Sequence, residues 1–302
     1  MCQSREVNTA PQDFAFDVVV VGSANLDLVA TLDHLPKPGE TIVALGYAEH
    51  AGGKGVNQAV ACARMGARTA FVGCVGNDDA GIFLRSVLEK EGIDTTMLRV
   101  VDMPTGRAFI NVDAHGENEI VVISGANTQV GVAQSPLMLP TAHVLLMQLE
   151  SPITTVLIAL TAARANGSTT VLNPAPYKTL TPEILSLVDV IVPNETESAA
   201  CGGTQALLAA GVATVVTTLG EKGAVINTAL SETNIAPHKV VAIDTVGAGD
   251  AFIGALSAEL AQGQSINDAA SVGAVAGALA TTVRGAVPSL PTQSAVRKAM
   301  AK

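Results

Sequence analysis

The sequence predicts an α/β protein: a doubly wound, mostly parallel sheet flanked by helices, with a small β-sheet lid. Three observations predict it. Short apolar runs that read as strands alternate with longer runs of helical spacing, the pattern of successive βα units whose strands pair in parallel. Hydrophobic residues make up 48% of the 302, yet aromatics are only 3% and Trp is absent. The core is therefore aliphatic, which suits helices packed on a sheet buried on both faces. Finally, two stretches alternate as strands with no helix between them, and these give the lid.

Phe16–Gly22 is a continuous apolar run ending in glycine, as a central strand would be. Gly55–Met65 has helical spacing, and Gly66 stands where it would terminate. Ala70–Val75 reads as the next strand and Asp79–Glu91 as an amphipathic helix closed by Gly92. Thr41–Ala48 alternates loosely. Thr105–Asp113 and Asn118–Ser124 are strands around the turn His115-Gly116-Glu117. Together they make lid strands over about 36–50 and 104–125, an ordinary edge hairpin being the alternative. The βα rhythm then resumes. Strands are expected over Val144–Leu149, Thr169–Asn173, Val188–Pro193 and Val212–Leu219, and helices over Ile153–Ala165, Ala248–Gln262, Ile266–Val283 and Thr292–Ala301. The organisation is a flexible N-terminal extension of residues 1–15 followed by one domain over 16–302. Ligands of such sheets sit beyond the carboxyl ends of the strands, so the segments just past each strand carry the site.

The formal charge is 17 − 27 = −10. A chain this acidic repels phosphodiester backbones, which excludes nucleic acid as a partner. An anionic ligand must be met by helix N-termini and a few lysines or arginines. Cys2, Cys62, Cys74 and Cys201 form no CxxC pair and no zinc spacing, a usage that fits a reducing, cytoplasmic compartment. Residues 1–15 lack the apolar segment of a secretory signal. No stretch is long and apolar enough to span a bilayer, and Asp268–Val283 reads as a buried helix.

Four runs carry chemistry. In Asp244-Thr-Val-Gly-Ala-Gly-Asp250 the glycines leave the backbone uncrowded just before a helix. The unpaired N–H groups and positive dipole end of such a start can surround an anion. Asp250 in the first turn is either a favourable N-terminal acid or a general base beside that anion. Ala51-Gly-Gly-Lys-Gly-Val-Asn-Gln58 is a second glycine-rich helix opening, without Walker spacing, in which Lys54 and Asn57 offer donors. Gly22-Ser-Ala-Asn-Leu-Asp27 follows the first strand. Asn25 and Asp27 there are a pair suited to vicinal hydroxyls, or else an Asx turn or helix cap. Asn194-Glu-Thr-Glu197 offers oxygen ligands near a phosphate-bound Mg²⁺, or a capping box. Thr218-Leu-Gly-Glu-Lys-Gly223 is a strand end and turn suited to lie against a nucleotide, and Glu150 is an acid at another strand end.

In order, these runs resemble the ribokinase-like (PfkB) superfamily of carbohydrate and nucleoside kinases, from about Phe16 to Pro291. Gly22–Asp27, Gly52–Ala59, Met147–Pro152, Asn173–Pro176 and Asn194–Glu197 are most similar to members that phosphorylate D-ribose at O5. The resemblance implies a phosphotransferase with an alcohol acceptor, using ATP. It implies Asp250 as catalytic base, with Gly247, Ala248 and Gly249 as the anion hole. Asn25, Asp27, Gly52, Gly53, Lys54, Asn57 and Glu150 would hold ribose together with Asp250. Asn194, Thr218, Gly220, Gly223 and Gly249 would approach ATP, and Glu197 would act on Mg²⁺ through water. It further implies K⁺ as activator, held by Asp244, Val246, Ala280, Val283, Gly285 and Ser289. Lid strands exposed at an edge would pair between subunits, giving a homodimer through the lid. Two features depart from the pattern: the short segment between Asn194 and Thr218, where one helix is expected to be trimmed, and the N-terminal extension. Other acceptors (deoxyribose, a nucleoside, a phosphosugar) and a non-catalytic sugar-binding regulator remain alternatives. A dinucleotide-dependent oxidoreductase does not, because no Gly-x-Gly-x-x-Gly follows the first strand.

Overall fold

The computed structural model describes residues 14–132 and 139–301; most of the N-terminal extension, Cys2 included, lies outside them. The chain opens with β1 (Phe16–Val21), β2 (Asn25–Thr31), β3 (Gly46–Gly52), α1 (Lys54–Arg64), β4 (Thr69–Gly76) and α2 (Asp79–Lys90). Then come β5 (Leu98–Val101), β6 (Gly106–Val112), β7 (Asn118–Ile123), β8 (Ala142–Met147), α3 (Ile153–Ala165) and β9 (Thr169–Leu172). They are followed by α4 (Pro182–Leu185), β10 (Val190–Ile191), α5 (Glu195–Ala200), α6 (Thr204–Ala209), β11 (Thr214–Thr218), β12 (Ala224–Thr228) and β13 (Glu232–Ile235). The last elements are α7 (Ala248–Ala261), α8 (Ile266–Ala280), α9 (Ala286–Ser289) and α10 (Gln293–Met300).

Nine strands form the main sheet in the order β13-β12-β11-β10-β9-β8-β1-β4-β5. It is parallel from β5 to β11, and β12 and β13 extend it antiparallel. β1 shows why its sequence is apolar without alternation. Val18 and Val20 pack on one face with α1, α7 and α8, while Val19 and Val21 pack on the other with α3. A strand covered on both faces has no polar side.

The second sheet, β3-β2-β6-β7, is the lid. Its hairpin is as expected: Asp113 Oδ1 accepts the N–H groups of His115 (2.8 Å) and Glu117 (2.9 Å), and Gly116 takes a positive φ of 83°. The rest of the lid corrects the sequence reading. The strand expected over Thr41–Ala48 runs instead over Gly46–Gly52, because its partner β2 sets the register from Thr31↔Gly46 to Asn25↔Gly52. Before Gly46 the Leu45 N–H still donates to the Thr31 carbonyl (2.8 Å), and residues 41–44 lie outside the strand. Asn25–Thr31, for which no strand was expected, is itself the lid's inner strand, paired antiparallel to β3 and parallel to β6; the alternative of an Asx turn or helix cap at Asn25 and Asp27 falls with it. The edge strands β5, β12 and β13 were also absent from the prediction. Between Asn194 and Thr218 stand two six-residue helices, α5 and α6, separated by Gly202 and Gly203 with φ of 88° and 87°. α8 stops at Ala280, where the Thr281 and Thr282 hydroxyls turn back onto the carbonyls of Ala278 and Leu279.

Candidate active site

Two glycine-capped helices open side by side beyond the carboxyl ends of the strands, and they differ in what their first N–H groups do. At α1 the N–H of Lys54 donates to Glu150 Oε2 (3.0 Å), that of Gly55 to Ser23 Oγ (3.2 Å) and that of Val56 to the Ser23 carbonyl (3.0 Å). This helix start is closed by protein. At α7, Gly247 is the cap in the left-handed region (φ 80°), with no side-chain cap. The N–H groups of Gly247, Gly249 and Asp250 have no hydrogen-bond partner among the described residues. A Cβ at Gly249 would meet nothing within 4 Å, so the backbone there faces open space. Of the two, α7 is the one that can receive an anion.

Asp250 sits in the first turn of α7 and is buried. Its Oδ2 accepts from Asn57 Nδ2 and its Oδ1 from Gln58 Nε2, both at 2.9 Å. Both donors come from α1, which crosses α7 closely because Gly254 has no side chain: a Cβ there would stand 2.3 Å from Ala61 Cβ and 3.0 Å from the Gln58 carbonyl.

The lid contributes Asn25 and Asp27, both buried. Asn25 Oδ1 accepts from Asn127 Nδ2 (2.7 Å), which leaves the Asn25 amide to act as donor. Asp27 lies over Gly52, where a Cβ would be 2.0 to 2.4 Å from its carboxylate atoms. Burial first, then the charges of Glu150 and Asp250, push the Asp27 carboxyl up to about 7. Burial pulls the Lys54 ammonium down, but Asp250, Glu150 and Glu197 more than offset it, so it stands above its ordinary value and stays charged. Three acids on one lysine make a cleft suited to hydroxyl donors and to a cation-neutralised phosphate.

A cleft of about 250 Å³ opens beside Lys54 and Asp250. Lys54, Asn173, Asn194, Glu197, Thr218, Thr245, Gly247, Gly249 and Asp250 line it. Asn194 and Glu197 form a reciprocal capping box on α5. Asn194 Oδ1 accepts the Glu197 N–H (2.8 Å), and Glu197 Oε2 accepts the Asn194 N–H (2.9 Å). This leaves Glu197 Oε1 for a ligand. Gly220 and Gly223 shape the β11–β12 turn with φ of 58° and 89° and do not line the cleft. At Gly223 a Cβ would stand 2.1 Å from the Ile235 carbonyl, which explains that glycine structurally.

Behind the anion site, Asp244 Oδ1 accepts from the Val246 N–H (3.0 Å) and Oδ2 from the Gly285 N–H (2.8 Å). One carboxylate thus ties the 244–247 loop to the 283–289 loop. Ser289 Oγ donates to the Ala286 carbonyl (2.8 Å), and the Ala280 carbonyl accepts the Val283 N–H (3.3 Å).

The structure gathers most of the predicted residues and redistributes two. Asn57, expected on the substrate, spends its amide N–H on Asp250, leaving a buried Oδ1 without partner. Glu150 spends Oε2 on capping α1 and on the Ser23 hydroxyl. Sequence reasoning missed Gln58, Ser23, Asn127 and Thr245. Gln58, Ser23 and Thr245 stood inside runs already singled out. Asn127 had no local signal, since it is placed by contacts to Ala24 and Asn25 about a hundred residues away.

An open helix N-terminus, a fixed carboxylate beside it and a lid bearing Asn25 and Asp27 fit a small-molecule kinase, a phosphotransferase with an alcohol group as acceptor. Residues 15–293 match the family described as pfkB family carbohydrate kinase, and the chain belongs to that family. It is 41% identical over 292 residues to a ribokinase of Haemophilus influenzae, covering 91% of this chain and 95% of that one. A ribokinase structure from Thermotoga maritima superposes with a TM-score of 0.87 at 35% identity, covering 94% and 99% of the two chains. The Arabidopsis thaliana ribokinase complexed with ribose and ATP superposes with a TM-score of 0.85 at 30% identity, covering 95% and 99%.

Proposed function

We propose that the chain transfers the terminal phosphoryl group of ATP to O5 of D-ribose, giving D-ribose 5-phosphate and ADP. The observation that carries this reading is Asp250: a buried carboxylate held by two amides at a helix start where the N–H groups of Gly247, Gly249 and Asp250 have no partner among the described residues. Asn25 and Asp27 from the lid, Gly52, Gly53, Lys54 and the free Asn57 Oδ1 would hold the sugar hydroxyls, and Glu150 Oε1 completes that set. Asp250 takes the proton of the 5-hydroxyl as the new O5–P bond forms. The bond from the phosphorus to the β–γ bridging oxygen breaks, and ADP leaves with that electron pair. Backbone N–H groups of 247–250 take up the charge on the transferring group, where positioning and electrostatics matter more than covalent help. The lid keeps out water, the competing acceptor.

Mg²⁺ would enter on the ATP phosphates and neutralise them. Among the described residues no cluster of three His, Cys, Asp or Glu could hold a metal, so a water-mediated contact from Glu197 Oε1 is the fitting protein contribution. Each Asp244 oxygen keeps lone-pair capacity beyond its one N–H, and the carbonyls of Val246, Ala280, Val283 and Gly285 with the Ser289 hydroxyl would complete a K⁺ site. That charge would steady the anion hole from behind. The exposed β7 residues Ile120 to Ile123 at the lid edge support pairing with a second copy; light scattering that gives a monomer mass would overturn it. Among the described residues no helix is long and apolar enough to cross a membrane. The unpaired Cys62, Cys74 and Cys201 fit a cytoplasmic location.

A coupled ADP-release assay with D-ribose, deoxyribose, fructose, fructose 6-phosphate and adenosine tests the substrate, ribose being expected to give the highest kcat/KM. Asp250→Asn is expected to lower kcat at least about a hundredfold with sugar binding retained; an unchanged kcat would remove the base assignment.

A further inference from the structure

Gln58 does something the sequence did not announce. It is fully buried, and every hydrogen-bonding atom of its side chain is committed. Nε2 donates to Asp250 Oδ1 (2.9 Å) and to Asn173 Oδ1 (3.2 Å), and Oε1 accepts from Gln148 Nε2 (2.6 Å). Asn173 in turn donates its Nδ2 to the Val192 carbonyl (3.0 Å). Gln148 follows β8, Asn173 follows β9 and Val192 follows β10. A chain of amides therefore connects three adjacent strand ends of the sheet to the carboxylate on α7.

The connection is directional. Turning the Gln58 amide over would set its oxygen against the oxygens of Asp250 and Asn173 and its NH₂ against the NH₂ of Gln148. One orientation is allowed, and it presents a donor to Asp250. The second donor, Asn57, keeps a buried Oδ1 lacking any partner, so its amide is the one that a bound sugar would engage. Gln58 does not line the cleft.

We propose that Gln58 is the positioning residue of the catalytic base. Anchored by Gln148 and Asn173, it fixes the rotamer of Asp250 so that the carboxylate meets the incoming hydroxyl without first having to be oriented. This rests on the reading of Asp250 as base. Without the anchored donor, the carboxylate samples other χ settings, and only a fraction of bound complexes is productive. The loss then falls on kcat and not on substrate affinity.

The test is a double-mutant cycle in kcat with D-ribose and ATP. Gln58→Met, similar in volume and without a donor, is expected to lower kcat about tenfold or more with both KM values within about threefold of wild type. In the Asp250→Asn background the same change is expected to lower the residual kcat less than about twofold, because no base is left to position. Equal losses in the two backgrounds, or a wild-type kcat for Gln58→Met when Asp250→Asn is impaired, would overturn the positioning role while leaving the base reading intact. A wild-type kcat for Asp250→Asn would instead overturn the base reading. If Gln58→Met does not fold, Gln148→Met, which removes the donor on Gln58 Oε1 and so loosens the side chain that meets Asp250, replaces it in the same cycle. A loss of about threefold or more that vanishes with Asp250→Asn supports the proposal, and an unchanged kcat overturns it.

Discussion

Replacing Gly52 by alanine tests the sugar site from its floor. The new Cβ would stand 2.0 Å from Asp27 Oδ2, 2.2 Å from Cγ and 2.4 Å from Oδ1. Those distances are impossible for non-bonded atoms, so the Asp27 side chain must swing off the strand face. The backbone has no reason to move, because Gly52 is not among the positive-φ glycines and alanine tolerates its conformation. The perturbation is thus confined to one carboxylate. If Asp27 accepts hydrogen bonds from two sugar hydroxyls, each bond to a charged acceptor contributes about 1.5–3 kcal/mol. Losing both at the lower bound costs about 3 kcal/mol, or roughly a hundredfold in affinity at about 1.4 kcal/mol per decade. Calorimetric titration with D-ribose should therefore show Kd weakened by about two decades, with the KM for ATP within about twofold and the circular-dichroism melting temperature within a few degrees. A ribose Kd within threefold of wild type would refute the placement of Asp27 on the sugar.

Three further outcomes follow from the same geometry. The Asp27 carboxyl, raised to about 7 by burial and then by Glu150 and Asp250, is ionised above that pH and protonated below it. Ribose affinity should thus be full at pH 8 and about tenfold weaker at pH 6, with the dependence flattened in Asp27→Asn; a wild-type Kd constant across that range would remove the role. In the unliganded chain the same raised value makes Asp27 favour folding below its ordinary 3.8, a contribution lost as pH rises through about 7. Gly106→Ala puts a Cβ 2.2 Å from Asn25 Oδ1 and 2.3 Å from Asn127 Nδ2. It should weaken ribose binding about tenfold or more while ATP binding is kept, and an unaltered ribose Kd would show that Asn25 is not a ligand. Replacing K⁺ by Tris or Na⁺ should lower activity several-fold, with Asp244→Asn blunting the response; equal rates in all three buffers would remove the monovalent site.

Much was legible in the chain because its signals are local. β1 and the helices α1, α2, α3, α7 and α10 follow from the spacing of aliphatic residues and from glycines at their ends, and these interactions act over a few residues. The lid hairpin follows from alternation around a glycine turn. β2 was not read as a strand, since its polar–apolar alternation is short and only three residues separate it from β1; its pairing with β3 and β6 fixes it. The short β5, β12 and β13 depend in the same way on the strands beside them.

By itself the sequence determined that two glycine-rich helix openings exist and that Asp250 lies in one of them. It could not say which opening takes the anion, because both offer the same backbone chemistry. The tertiary structure distinguishes them: Ser23 and Glu150, 32 and 96 residues from the N–H groups of Gly55 and Lys54, accept the first donors of α1, while the N–H groups of Gly249 and Asp250 in α7 have no partner among the described residues. It also decided what surrounds Asp250, since the close passage of α1 over Gly254 turns Asn57 and Gln58, neighbours in sequence, into two donors on a carboxylate 192 and 193 residues away. Hydrogen-bond partners this remote depend on how elements pack, and no local pattern encodes them.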